Sequence, residues 1–451
     1  MSEVYSQLSS SKKNLFFLIF ALIALLLLQC TDPMEEELFS AVEKSEAPQM
    51  IDHRKTGVLP SGALFEIAVP PQNWNGELVV WAHGYVNFNE PLALPDDAVD
   101  GVPISIIVNQ LGYAYASTSY RDNGLIVQDA ILDLEELVDQ FKADFEEPNH
   151  TYLVGGSEGG IITALAIEQD KGIFDGGFSL CGPVGNFRKQ VNYFGDFNVV
   201  FNYFFPGIMP ITPAGLDDEV QLNDLIARWG TDDNPGPLQA QVIAALVANP
   251  NATRQLLNVT RASIDNDDQN TIGATVLGLL RYSVYATNDA ISKLNGMPYD
   301  NKRKWYRGSD NDYLLNRKIQ RFRADRRALI EMRRNYETSG KLNDPLVTMH
   351  TTGDPIQPYW HEIIYRFKTI RNGSFFQHVN IPIFNRYGHC NFTQNEVLTG
   401  FAVMILKVTL EDLLVPASMF PDTKSQEEFI NQSREHGATP IVVQDAVLQA
   451  S

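Results

Sequence analysis

The sequence predicts an α/β protein: a mostly parallel sheet with helices on both faces, interrupted by a helical cap insertion. Short apolar runs of strand length alternate with longer segments of helical period. That rhythm stops near Phe187 and returns near Asn343. The residue types suited to chemistry stand just beyond strand-like runs, where open parallel sheets place their sites.

Gly62 to Val69 reads as a strand that ends at Pro70-Pro71. Glu77 to Ala82 is a short apolar run bounded by Asn75-Gly76 and His83-Gly84, and Tyr113 to Thr118 is a further strand. Asp129 to Phe145 sets Ile131, Leu134, Val138 and Phe141 on one helical stripe. Thr151 to Val154 is a buried-type strand entering a glycine turn, Ile161 to Ile167 begins a helix, and Gly176 to Leu180 is the next strand. Between Phe187 and Leu342, a crowd of aromatics (Tyr193, Phe194, Phe197, Phe201, Tyr203, Phe204, Phe205) gives way to helical segments with few strand-like runs. Strands resume at Leu346 to Met349 and Phe375 to Ile383, and Asn395 to Leu414 is a long apolar-periodic helix. The organisation read from this is a signal at 1–29, a tether at 30–55, sheet protein at 56–186, cap insertion at 187–342, sheet protein again at 343–424, and a tail at 425–451.

The 451 residues are 44% hydrophobic and 20% charged, a globular balance that excludes a disordered chain and a multi-span membrane protein. Asp plus Glu number 55 against 35 Lys plus Arg, a net charge of −20, which argues against nucleic acid as a partner. Three cysteines exclude a disulfide scaffold and a structural zinc protein with repeated ligand pairs. No cofactor or metal is expected. At the N-terminus, Lys12 and Lys13 precede an apolar run from Leu15 to Leu28, short for a bilayer span and suited to an export signal. The segment Leu27-Leu28-Gln29-Cys30 resembles a bacterial lipoprotein signal, with Cys30 the lipidated residue, although Gln29 stands where a small residue is usual. Ordinary cleavage and a retained anchor are the other readings, so the protein is expected outside the cytoplasm, lipid-anchored to a membrane or else periplasmic or secreted.

Gly155-Gly156-Ser157-Glu158-Gly159-Gly160 fits G-x-S-x-G, directly after a strand and directly before a helix, the context a nucleophile elbow needs. A serine hydroxyl requires a base, and in this architecture acid and base follow in chain order. Asp354 stands just beyond a strand in Gly353-Asp354-Pro355, whereas Asp344 precedes that strand, at the wrong end. Among the histidines beyond it, His361 lies in a helical stretch, His378 within a strand and His436 in the polar tail. His389 alone follows a strand, in the loop Asn385-Arg386-Tyr387-Gly388-His389. The oxyanion donors expected are the backbone N–H of Glu158 and that of Gly84 or Tyr85.

With these residues in place, the chain resembles the α/β-hydrolase superfamily over Gly62–Pro183 and Asn343–Leu414. The segments WNGELVVWAHGY, STSYRDNG, GGSEGG, HTTGDP and GHCNF look like a group of exported bacterial hydrolases. The resemblance implies a Ser157–His389–Asp354 triad and an acyl-enzyme mechanism. The Gly388-His389-Cys390 element is also similar to tannase and feruloyl-esterase-like enzymes, which carry a cysteine beside the serine where this chain has Gly156 and Glu158. Cys181 and Cys390 both fall near one rim of the sheet, and an exported protein permits their oxidation to a disulfide; two buried free thiols are the alternative.

Asp310-Asn311-Asp312 and Asp265-Asn266-Asp267-Asp268 resemble fragments of calcium loops but lack the glycine and distant Glu, so capping explains them better. Arg317 to Arg334 reads as a basic helix with Ile319, Phe322, Leu329 and Ile330 on one stripe; a solvated face outweighs recognition of a substrate carboxylate. The reading is an ester hydrolase acting on a small-molecule substrate. An exopeptidase on a short peptide and a silent binding protein of the same fold are the alternatives.

Overall fold

The computed structural model describes residues 54–209, 219–231, 234–416, 424 and 441–443. The signal, Cys30, the tether up to residue 53, His436 and all of the tail but 441–443 lie outside the described residues. Eight strands form one sheet: β1 (Arg54–Val58), β2 (Leu64–Ala68), β3 (Leu78–Ala82), β6 (Ala114–Thr118), β7 (Thr151–Gly156), β8 (Gly176–Leu180), β9 (Leu346–Gly353) and β10 (His378–Tyr387). Their spatial order is β1-β2-β6-β3-β7-β8-β9-β10, antiparallel at β1–β2 and β2–β6 and parallel from β6 onward. A two-stranded hairpin, β4 (Ala98–Val99) with β5 (Val102–Pro103), stands apart from this sheet, and β11 (Leu414–Pro416) pairs with β12 (Ile441–Val443).

The central strands β3, β6 and β8 are buried at every position, which is why they read as continuous apolar or small-residue runs without alternation. Helices α2 (Val127–Asp144) and α3 (Glu158–Gln169) cover one face, packing Ile131, Leu134 and Ile162 against Val80 and Leu153. Helices α1 (Ile104–Gln110) and α13 (Gln394–Leu413) cover the other, with Val108, Met404 and Val408 against Val79, Phe178 and Val347. Between β8 and β9 run eight helices among the described residues: α4 (Phe187–Phe204), α5 (Glu219–Trp229), α6 (Pro237–Ala248), α7 (Pro250–Thr260), α8 (Asn270–Val284), α9 (Ala286–Lys293), α10 (Asp312–Lys318) and α11 (Arg326–Asn335). They enclose a second core around Phe197, Phe201, Leu279 and Leu280, so most of the aromatic crowd of α4 is packing. The last face helix is α12 (Trp360–Asn372). This is the α/β-hydrolase fold with a helical insertion.

Four details depart from the sequence expectations. Arg54 and Lys55, read as tether, begin β1, which Arg54 ties to β2 through an ion pair with Glu66 at 2.8 Å. Helix α3 starts at Glu158, three residues early, because tight packing overrides the poor helix propensity of Gly159 and Gly160. Phe375–Gln377 form a 3₁₀ turn before β10 rather than its first residues. The basic helix is two helices, since its apolar stripe serves two cores: Ile319 and Phe322 join the insertion core and Leu329 the sheet core, while Ile330 stays 47% exposed.

Candidate active site

Strand β7 delivers the backbone into a turn that only small residues permit. A Cβ on Gly159 would stand 1.9 Å from the Ala82 carbonyl oxygen, and one on Gly155 2.3 Å from the Gly159 oxygen. At the apex Ser157 takes φ 57° and ψ −117°, a conformation costly for an L-residue and held by the packing around it. Its N–H donates to Leu180 O at 2.9 Å. The turn holds the hydroxyl at the C-terminal edge of the sheet, at the start of α3, where the amide dipoles favour negative charge.

Asp354 follows β9, 1% exposed. One of its oxygens accepts from the N–H groups of Ile356 (2.8 Å) and Gln357 (2.9 Å), a local turn that fixes the carboxylate. The other accepts from His389 Nδ1 at 2.7 Å. With a proton on Nδ1, Nε2 of His389 is an acceptor, and the Ser157 hydroxyl donates to it at 2.8 Å. Ser157, His389 and Asp354, far apart in sequence, thus form one hydrogen-bonded relay.

The other histidine candidates are engaged elsewhere. His361 is fully buried: Nδ1 accepts from the N–H groups of Gly185 and Asn186 (3.0 and 3.3 Å) and Nε2 donates to Gln190 Oε1 (2.8 Å). Burial holds it well below the usual imidazole range, so it is a neutral tie between α12 and α4. His378 Nε2 lies 3.0 Å from Thr348 Oγ1, and burial depresses its pKa to about 4.

A residue the sequence reading passed over completes the arrangement. His350, 0% exposed, sits on β9 with Nδ1 3.1 Å from Glu362 Oε1 and Nε2 2.5 Å from Gln357 O and 3.3 Å from Asp354 Oδ2. Both ring nitrogens face acceptors, so both carry protons. Burial opposes that charge, but the hydrogen bonds to Asp354 and Glu362 outweigh it and raise the pKa to about 10. For Asp354, burial pushes upward, while His389 and His350 hold its carboxyl down at about 2. The one signal in the sequence was a titratable histidine inside an otherwise uncharged strand, four residues before the acid.

The backbone of Gly84 runs beside Ser157: a Cβ there would lie 3.3 Å from Ser157 Cβ and 3.9 Å from Oγ. Glu158 opens α3, so its N–H has no acceptor within the helix. Glu158 itself is buried, which raises its carboxyl to about 8, with Asp289 adding to the effect and the Ile126 N–H and Lys293 opposing it. His83 is structural, its ring stacked on Tyr120 at 4.0 Å and its Nδ1 2.7 Å from Gly84 O.

Cys181 and Cys390 are joined in a disulfide, Cα–Cα 5.3 Å, across a sequence separation of 209. It links the end of β8, one residue from the acceptor of the Ser157 amide, to the residue after His389. Replacing both cysteines with serine is expected to lower stability by about 2–5 kcal/mol. It should also lower kcat more than it raises KM, as the His389 loop loosens; denaturant melts and steady-state kinetics check both.

Among the weaker features, Asn311 caps α10 by accepting from Leu314 N at 2.9 Å, and Asp310 pairs with Arg254 at 2.7 Å. Asp265 and Asp268 accept from the nearby N–H groups of Asp267 and Asn270. Arg326, Arg327, Arg333 and Arg334 are exposed, and none lines a pocket at Ser157.

No family model matches the sequence, and no curated protein does. Solved structures that it resembles include feruloyl esterase B from Aspergillus oryzae, at 14% identity over 77% of this chain and 78% of that one (TM-score 0.40). Est1E from Butyrivibrio proteoclasticus is 12% identical over 79% of this chain and 97% of that one (TM-score 0.33). The uncomplexed acylaminoacyl peptidase of Pyrococcus horikoshii is 10% identical over 77% of this chain (TM-score 0.36), and the match spans 39% of that longer chain.

Proposed function

We propose that this protein is a serine hydrolase that cleaves carboxylic esters through an acyl-enzyme. The observation that carries the proposal is the unbroken relay from Ser157 Oγ through His389 to Asp354, at 2.8 and 2.7 Å, with the serine on a strained strand-to-helix turn.

Ser157 Oγ attacks the substrate carbonyl carbon as its proton passes to His389 Nε2. The carbonyl π-pair moves onto oxygen, which the N–H groups of Glu158 and of Gly84 or Tyr85 stabilise; one such donor contributes about 3 kcal/mol. Collapse reforms the carbonyl and breaks the bond to the leaving oxygen, which takes the proton from His389. Water then repeats the sequence: its proton goes to His389, its oxygen bonds the acyl carbon, and Ser157 Oγ leaves with the proton. Asp354 remains ionised throughout, orienting His389 and balancing the imidazolium. The export signal and a lipid on Cys30 extend the proposal, placing this chemistry outside the cytoplasm at a membrane.

A fluorophosphonate probe is expected to label the wild-type protein at Ser157 and to leave Ser157→Ala unlabelled. Equal labelling of that variant, located by peptide mapping, would move the nucleophile elsewhere and end the proposal.

A further inference from the structure

Ser157 opens onto two pockets. One lies beneath the insertion, walled by Phe187, Phe194 and Tyr282. The other lies toward the β4–β5 hairpin and includes Cys390 and Asn391, the residues that follow His389. His389 must hand its proton to the leaving group, so the leaving group belongs on the side of Cys390 and Asn391. The acyl group then occupies the pocket beneath the insertion.

The polar groups of that acyl pocket are short of donors. Gln357 is 5% exposed, lines the pocket, and its Oε1 has no hydrogen-bond partner. Tyr85 Oη, buried in the same lining, has none either. The Glu158 side chain has one long contact, from the Ile126 N–H at 3.4 Å. Lys293, the cation nearest in effect to Glu158, is held by Asp289 at 3.4 Å and Asp122 at 3.1 Å and does not line the pocket. Among the described residues no lysine or arginine lines either pocket; the charged residues that do are Glu158 on the acyl side and Asp97 and Asp100 on the other. A substrate carboxylate or phosphate would find no cation there to pair with. A compact group that donates several hydrogen bonds and carries positive charge would satisfy every one of these atoms.

We infer that the acyl group bears an ammonium, held by Glu158, Gln357 Oε1 and Tyr85 Oη: the substrates are aminoacyl esters or amides, including the N-terminal residue of a short peptide. This rests on Ser157 being the nucleophile. The net charge of −20 draws such cations toward the protein. The aromatic walls receive the amino-acid side chain, and the empty pocket is tolerable because Glu158 holds a proton until a cation replaces it.

The test pairs methyl esters that differ only in the amine: L-valine against 3-methylbutanoate, and L-phenylalanine against 3-phenylpropanoate, with the amines charged. The wild-type full chain is expected to favour the aminoacyl member by at least roughly tenfold in kcat/KM. Glu158→Gln and, independently, Gln357→Leu should each pull that ratio toward one. Should the desamino esters be turned over as well or better, or should both variants keep the full preference, the inference is overturned. A companion measurement keeps the two readings apart. Aminoacyl amides should slow fluorophosphonate labelling of Ser157 where the matching desamino amides do not. Labelling unaffected by either amide overturns the ammonium site alone, whereas absence of labelling at Ser157 overturns the hydrolase.

Discussion

Replacing His389 with alanine is expected to lower kcat by roughly 10⁴- to 10⁶-fold with a small change in KM. The Ser157 hydroxyl lies 2.8 Å from His389 Nε2, and without that acceptor nothing takes its proton as the carbonyl is attacked. The other described histidines near the sheet edge offer no substitute. His83 is stacked under Tyr120, His361 uses both nitrogens to join α12 and α4, and His350 has both nitrogens on acceptors. The fold should survive, because His389 is on a loop and its ring is partly exposed. Circular dichroism identical to wild type, residual turnover above the buffer rate from the oxyanion donors, and slow fluorophosphonate labelling are the expected signature. Near-normal kcat in this variant would remove His389 from the relay.

What made this site legible was the order of its parts along the chain. An elbow sequence, an Asp beyond β9 and a His beyond β10 each sit where a parallel sheet exposes its strand ends. Strands β3, β6 and β8 were readable because burial on both faces removes charged residues from them. Other parts depend on packing that no local pattern encodes. Helix α3 begins at Glu158 because Gly159 and Gly160 let the backbone touch Ala82 and Gly182, a tertiary fact. The basic segment broke at Ile319–Asp325 because its two ends serve different cores. β1 was hidden in a polar stretch, since an antiparallel edge strand with exposed residues carries almost no hydrophobic signal. His350 escaped for a related reason: its meaning lies in Glu362 and Asp354, which come together with it only once β9 and α12 pack.

His350→Leu is expected to be the most destabilising single change at the site, by about 3–5 kcal/mol. In the wild type a buried cation stands between two buried acids. Glu362 is bound further by Thr348 Oγ1 at 2.5 Å and Asn380 Nδ2 at 2.8 Å, and Asp354 by its two backbone donors. Leucine leaves both carboxylates buried without that cation, and the cost is the uncompensated charge. The pH dependence gives a specific check. His350 has its folded pKa raised from 6.5 to about 10, so the stability it contributes is complete below 6.5 and is lost as pH rises toward 10. The stability difference between wild type and variant should therefore shrink across that window; a difference that stays constant from 6.5 to 10 would mean His350 is neutral.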